Sequence, residues 1–376
     1  MKKVLILIYV FIVALTATAQ NTKRNIADLT EEDYISFFEE DGSENVMGVP
    51  EGMKQSEIDE LLGQYYTETY LQEEECNSRN IAAYFTEADY KERLERLPYI
   101  MEMPYNDMVR RLIDRYMRSP RTVSGLLGAA NFYTPIFEEA LEAYGVPLEL
   151  KYLPVIESAF NPKATSPVGA AGLWQFMPAT GKQYGLEINS LVDERRDPIK
   201  SSYAAAKLLR DLYNIFGDWS TVIASYNCGP GNVKKAMRRA GGTSDYWALY
   251  PYLPKATRGY VPAFIAANYA MNYYCDHGIC PMRTKLPAHS DTVMVNKQIH
   301  FSQISAKCGI SLEELRTLNP QYRKDIVAGS RQKPAILRLP DQFVGAFIDN
   351  FDEIAEYNRR AYFPRRSTVQ IGGGEY

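Results

Sequence analysis

Few side chains in this sequence can do chemistry, and their types narrow what that chemistry is. The 376 residues include three histidines, His277, His289 and His300, far apart and without an H-x-x-x-H pair. A zinc hydrolase or a histidine-based triad is therefore disfavoured. Five cysteines, Cys76, Cys228, Cys275, Cys280 and Cys308, show no metal spacing, and an odd number leaves at least one unpaired. Carboxylates remain, and one stands out. Within Pro147–Phe160, Glu157 follows Leu153 by four residues and Leu150 by seven, which puts it on the apolar face of a helix. Pro154 kinks or restarts that helix, so the register is approximate. A carboxyl against apolar surface is desolvated; its pKa rises and it stays protonated near neutral pH, as a general acid requires. The plain alternative is a glutamate at a helix end, half in solvent.

The next segment carries binding chemistry. Asn161-Pro162 stops the helix, and small residues at 169–172 let the backbone approach another group closely. Trp174, Gln175, Phe176 and Met177 then offer aromatic, amide and thioether groups together, a combination suited to the C–H faces and polar substituents of sugars. Further on, Ser225-Tyr226-Asn227-Cys228 ends a helix at a Gly229-Pro230-Gly231 turn. Taken alone, that turn is a simple helix stop.

The elements that must position these groups are mainly helical. Apolar spacing predicts helices over 107–117, 123–144, 201–216, 219–226 and 261–274, with a break at Gly145-Val146-Pro147. The tail differs: strands at 292–295 and 335–339 flank short helices at 302–308 and 311–318, a self-contained βααβ unit. Cys275 and Cys280 bracket four residues, so either a short-loop disulfide or two small buried hydrophobes fits. The net charge of -4 conceals an asymmetry. Residues 28–75 hold sixteen acidic residues against Lys54 alone, a net of -15, whereas 1–27 carry +4 and 76–376 carry +7. No bulk basicity advertises nucleic acid. The acidic stretch reads as weakly ordered, with short helices at 34–38 and 58–66. Lys2 and Lys3, an apolar run from Val4 to Ala17, and Ala17-Thr18-Ala19 have the pattern of a secretory signal peptide, and no cysteine follows to carry a lipid. The run of 14 apolar residues is short of the roughly 20 a bilayer span needs. The expected organisation is a signal peptide at 1–19, an acidic leader at 20–80, a helical domain at 81–285, a small module at 289–340, and a closing helix with a loose tail at 341–376. The expected location is exported: periplasmic, or associated with the cell wall or outer membrane.

Glu157-Ser158, Gly172-Leu173-Trp174-Gln175 and Ser225-Tyr226-Asn227 resemble, in order and spacing, the motifs of the soluble-lytic-transglycosylase family, whose lysozyme-like fold goose-type lysozymes share. The resemblance runs from Leu97-Pro98 to about Tyr274, roughly half the chain. It implies a lytic murein transglycosylase with Glu157 as the sole catalytic acid and base. Ser166 would lie beside the reacting N-acetylmuramic acid, Gln175 and Met177 would bind glycan, Tyr226 would position Glu157 or substrate, and Asn227 would support the same wall. The implied reaction cleaves the bond to N-acetylglucosamine and closes the muramic acid C6 hydroxyl onto C1, giving a 1,6-anhydro ring. Ordinary glycosidases use two carboxylates; here one would serve twice. The resemblance calls for no cofactor and no metal. One position departs: family members usually carry a glutamate before the threonine where this chain has Ala256-Thr257, which puts a substrate-side contact in doubt.

Residues 301–320 are similar to a LysM peptidoglycan-binding module, though Asn296-Lys297-Gln298 replaces the usual glycine-aspartate turn, and a fold can outlast its site. The expected class is thus mainly α, a lysozyme-like helical catalytic domain with a small βααβ LysM-like C-terminal domain. The expected partner is the peptidoglycan glycan strand, not nucleic acid, with cell-wall or outer-membrane proteins as candidate partners. Two other readings are a goose-type lysozyme-like hydrolase, distinguished by its product end, and a non-catalytic wall-binding protein, disfavoured by the retained Glu157, Ser166, Gln175 and Tyr226.

Overall fold

The computed structural model describes residues 34–38, 44–63, 85–97, 100–287 and 289–364. The expected signal peptide and the segment beyond 364 lie outside the described residues. The catalytic-domain candidate is a helical body. Its first elements are strands β1 (Tyr34–Phe38) and β2 (Glu44–Gly48) and helices α1 (Gln55–Gly63), α2 (Glu87–Arg96), α3 (Asp107–Met117) and α4 (Pro120–Ala143). Helices α5 (Leu153–Ser158), α6 (Pro178–Gln183), α7 (Pro198–Phe216), α8 (Trp219–Cys228), α9 (Pro230–Arg239), α10 (Tyr246–Leu249), α11 (Lys255–Arg258) and α12 (Tyr260–Tyr273) follow. Local chemistry fixes several starts. The Asn106 side chain accepts from Val109 N–H, Asp197 from Ile199 and Lys200 N–H, and Asp218 from Thr221 N–H, satisfying donors a helix start leaves free. Helix α12 is apolar around its whole circumference, and Tyr260 to Met271 are buried; such a helix belongs at a centre. It packs on α3, while α4 packs on α7.

Of the leader, residues 34–38 and 44–63 are described. Residues 34–38 form a strand rather than a short helix, because their backbone groups pair antiparallel with β2, Tyr34 opposite Gly48 and Phe38 opposite Glu44. Met47, Val49, Met53 and Leu61 are buried in the same core as α4 and α12. Burying several large side chains at about 1.5–3 kcal/mol each offsets the ordering cost that acidity alone led us to expect to prevail. The acidic charges therefore ride on a segment anchored by interleaved apolar residues.

The tail contains the expected unit: β3 (Ser290–Val295), α13 (Phe301–Cys308), α14 (Leu312–Leu318) and β6 (Ala335–Pro340), with a further pair, β4 (Gln298–His300) and β5 (Ile326–Ala328), between. Strands β3 and β6 pair antiparallel over their full lengths. Helices α15 (Asp341–Asp349) and α16 (Phe351–Glu356) close the core of this unit through Phe347, Ile354 and Ala355. Cys280 is disulfide-bonded whereas Cys275, Cys228 and Cys308 are free, so the short-loop alternative does not form. Among the described residues no group of histidine, cysteine and carboxylates could hold a metal, and no helix is long and apolar enough to cross a membrane.

Candidate active site

Glu157 is placed by a succession of backbone breaks. Gly145, at φ 59°, ends α4, a 3-10 turn spans Leu148–Tyr152, and α5 begins at Leu153 with Pro154 in its first turn. Proline is tolerated there because the missing N–H would have no helical partner. Helix α5 lasts six residues. Ala159 and Phe160 then adopt φ 50° and 61°, both fully buried. Left-handed backbone costs a residue with a Cβ about 1 kcal/mol, and burial of Phe160 against Tyr133 and Phe137 holds it. Two neighbours lock the helix: Ser158 Oγ donates to Leu173 O at 2.9 Å, and Gly52 of the leader lies against Val155, Ile156 and Ala159 so closely that no side chain fits.

The loop opposite is built with equal economy. Gly172 has φ 85°, and a Cβ there would collide with the Arg195 carbonyl. Arg195, itself buried, donates from one amino group to Gly169 O (2.8 Å) and Phe176 O (2.9 Å), and forks onto the Asp193 carboxylate. Trp174 is fully buried, its indole N–H bonded to Ser202 Oγ at 2.9 Å. This leaves Gln175, at φ 46°, half-buried with its amide donating to Gly172 O, and Met177 exposed. Ser166 Oγ accepts from the Ala170 N–H at 3.0 Å.

The third wall comes from α8 and α12. Tyr226 is half-buried beside Glu157, and its hydroxyl donates to Trp174 O at 2.6 Å rather than to the carboxyl. Thr257 Oγ1 donates to Asn227 Oδ1 at 2.9 Å, which joins the last two motifs. Tyr260 is buried next to Glu157 and its hydroxyl meets no partner in hydrogen-bond geometry. An unsatisfied buried donor at a site is a place for a substrate atom to bind. Burial pushes the half-buried Glu157 up to about 8; the Tyr260 hydroxyl pulls against that rise and the Glu51 carboxylate adds to it. At neutral pH the group is an acid.

Of the residues expected from the sequence, the structure sets Tyr226 beside Glu157, ties the 172–176 loop to both helices through Ser158–Leu173 O and Tyr226–Trp174 O, and joins Asn227 to Thr257. Sequence reading misses Tyr260, Arg195 and Glu51. Tyr260 follows Thr257 by three residues, so the Ala256-Thr257 motif is the local signal for it; Glu51 lies over 100 residues from Glu157 and nothing local marks it. The site of the departing residue is also informative. A Cβ on Gly48 would lie 3.2 Å from Ala256 Cα, and Gly259 is pressed against Met47 and Gly48. Strand β2 therefore covers the motif where the glutamate is absent.

Residues 135–248 match the family described as Transglycosylase SLT domain, and residues 289–356 match Lytic transglycosylase MltD, LysM-like domain. The chain therefore contains an SLT domain and a LysM-like domain whose match includes α15 and α16. Over 234 residues it is 33% identical to the membrane-bound lytic murein transglycosylase D of Escherichia coli (strain K12), covering 61% of this chain and 51% of that protein. The chain thus spans about half the length of that relative. It is 35% identical over 126 residues to the soluble lytic murein transglycosylase of the same strain, covering 31% of this chain and 19% of that one. The crystal structure of the 70 kDa soluble lytic transglycosylase SLT70 from Escherichia coli overlays 44% of this chain and 30% of its own, at TM-score 0.35 and 26% identity.

Proposed function

We propose that this SLT-domain protein is a peptidoglycan lytic transglycosylase that cleaves between N-acetylmuramic acid and N-acetylglucosamine. The observation that carries this reading is the half-buried carboxyl of Glu157 between Tyr226 and Tyr260, whose pKa burial raises to about 8. Glu157 donates its proton to the glycosidic oxygen. As the carboxylate, it then takes the proton of the muramic acid C6 hydroxyl while that oxygen closes on C1, so the acid is regenerated and no water is consumed. A single group acting first as acid and then as base works best with a pKa near the working pH, and a value of about 8 supports this. Ser166 lines the muramic acid position, Gln175 and Met177 contact the glycan, and Tyr226 and Asn227 hold the wall. The substrate acetamido group supports the developing charge. Tyr260 supplies its unpaired hydroxyl to the reacting sugar or to the carboxylate form of Glu157. We include in the proposal the leader, catalytic and LysM-like division of the chain, export to the cell envelope, and a wall-binding role for the LysM-like domain.

A second reading is favoured by one observation. The Glu51 carboxylate reaches the field of Glu157, and a hydrolase would use a second carboxylate to activate water. Against it, Glu51 is engaged with Lys54 at 2.8 Å.

Mass spectrometry of muropeptides released from purified sacculi separates these outcomes. The wild-type protein yields 1,6-anhydro ends and Glu157→Gln yields none, a loss of at least about 10³-fold for removal of the proton donor. Reducing ends in place of anhydro ends would instead establish the hydrolase. Release of neither by the wild type overturns the catalytic reading.

A further inference from the structure

The SLT and LysM-like domains meet at a defined joint. The loop 187–193 of the first reaches into the second: Val192 pairs with Tyr322 as an isolated bridge and is buried in the second core. Asp193 N–H donates to Gln321 O, Arg323 N–H donates to Leu191 O, both at 2.9 Å, and Arg323 forms an ion pair with Asp193 at 2.5 Å. Beside this joint lies a groove of about 800 Å³ lined from both domains. Six basic side chains line it against two carboxylates. The pairing inside the groove is specific. Asp193 is fully buried and its charge is met by the buried Arg195; Asp325 is met by Arg316, whose Nε and amino group both donate to it. Arg196 and Arg323 also reach Asp193, and the lining as a whole keeps a net charge of +4. Arg196 and Arg323 are fixed by the backbone and side-chain contacts they make to Lys163 O, Thr165 Oγ1 and Asp193, whereas Lys163 and Lys324 are exposed.

We propose that this groove binds the carboxylates of the stem peptides attached to the glycan strand being cleaved. The inference rests on the reading of the cleft as a peptidoglycan site and extends it to a second contact. Three observations support peptide carboxylates in particular. Guanidinium groups held by neighbouring contacts and flanked by exposed ammonium groups suit several carboxylates held at irregular spacing. Lys163 and Thr165 line the groove, and the chain passes directly from them to Ser166, at the position proposed beside muramic acid. Muramic acid is the sugar that carries the peptide, so a peptide leaving that sugar crosses the turn from Lys163 to Ser166 into the groove. The other wall belongs to the LysM-like domain, so one strand can engage cleft, groove and module together, with the gain in effective concentration that linked contacts give.

The test uses the full chain carrying Glu157→Gln, so that binding is read without cleavage. Its affinity is measured by co-sedimentation with intact sacculi and with glycan strands stripped of peptide by an amidase, at low and high salt. Charge reversal at the two exposed lysines, Lys163→Glu with Lys324→Glu, is expected to weaken binding to intact sacculi about tenfold at low salt and to flatten the salt dependence, as lost exposed charge contacts do. Binding to stripped strands is expected to be equal with and without the reversal. Retention of the melting temperature shows that the double variant is folded, and Lys163→Gln with Lys324→Gln, a milder pair, is expected to fall between. Equal binding of parent and double variant to intact sacculi overturns the proposal, as does equal affinity of the parent for stripped and intact strands. Competition by polyphosphate but not by soluble stem peptides would assign the groove to a phosphate polyanion and also overturn it. Failure of the catalytic reading is seen separately, as absence of anhydro ends from the wild type.

Discussion

The proton on Glu157 is held by opposed influences, which makes its chemistry testable one side chain at a time. Burial is the largest and raises the carboxyl to about 8; the Tyr260 hydroxyl opposes the rise and the Glu51 carboxylate reinforces it. Tyr226, the other group facing the site, is held to Trp174 O and stays neutral, since burial drives its own pKa well above 10. The acid form of Glu157 is required in the free enzyme, so kcat/KM falls on the alkaline side as pH passes about 8. Tyr260→Phe removes a stabiliser of the carboxylate and is expected to move that fall to higher pH, with a lower maximum because a substrate-facing hydroxyl is lost. Glu51→Gln removes a like charge and is expected to move it to lower pH, by less than about one unit since the carboxylate is partly exposed and paired with Lys54. A merely structural role for Glu51 would change the height of the profile and not its position. The site was legible in the sequence as far as it is local: Glu157 declared itself by four- and seven-residue spacing and by the motifs that follow. The partners that tune it were not, because Tyr260 and Glu51 arrive through packing of α12 and the leader, and contacts made across more than 100 residues leave no periodic trace.

At the scale of elements, the loop Gly169–Phe176 shows how much of the site is backbone. Gly172 and Gly185 have nearly the same left-handed φ, 85° and 88°, yet differ in surroundings: a Cβ at 172 strikes the Arg195 carbonyl, and one at 185 meets nothing within 4 Å. Both alanine variants pay about 1 kcal/mol for the conformation. Gly172→Ala must also push the loop off Arg195, so it is expected to cost at least about 2 kcal/mol more and to abolish release of anhydro ends. Gly185→Ala is expected to keep activity within a factor of about two. Thermal melts and product release on the two variants separate collision from conformational cost; equal behaviour would show that Arg195 does not set the loop. The same comparison explains where sequence reading of the elements worked. Helices α3, α4, α7, α8 and α12 were readable from apolar spacing, and the βααβ unit from alternation and short helical runs. The described part of the leader was not, since its apolar residues Met47, Val49, Met53 and Leu61 are separated by acidic ones and the elements that carry them pack on α4, α5 and α11. Composition measured the charge correctly and missed the anchors.

At the scale of the whole molecule, one buried carboxylate joins the 169–176 loop, through Arg195, to the LysM-like domain. Asp193 is fully buried, and burial alone would raise its pKa, yet Arg195 from its own loop and Arg323 from the second domain hold it below the usual carboxylate range. Arg195 in turn carries the carbonyls of Gly169 and Phe176, so the position of the 169–176 loop depends on a carboxylate shared between domains. Two bridges across the joint should therefore differ in consequence although both are ion pairs in projection. Lys333–Glu187 is exposed, with the lysine 73% accessible, and such a pair contributes within about 0.5 kcal/mol. Arg323→Ala leaves Asp193 with Arg195 and, at 3.9 Å, Arg196 where it had three cations, and much of Arg323 is already in water, so the expected loss is about 1 kcal/mol. Its effect should travel: hydrogen exchange at the amides of 169–176 and 191–193 is expected to quicken in Arg323→Ala and to stay at the wild-type rate in Lys333→Ala. Exchange that quickens only within 289–356 would mean that the second domain is tethered to the loop without steadying it, and that the cleft is built by the SLT domain alone.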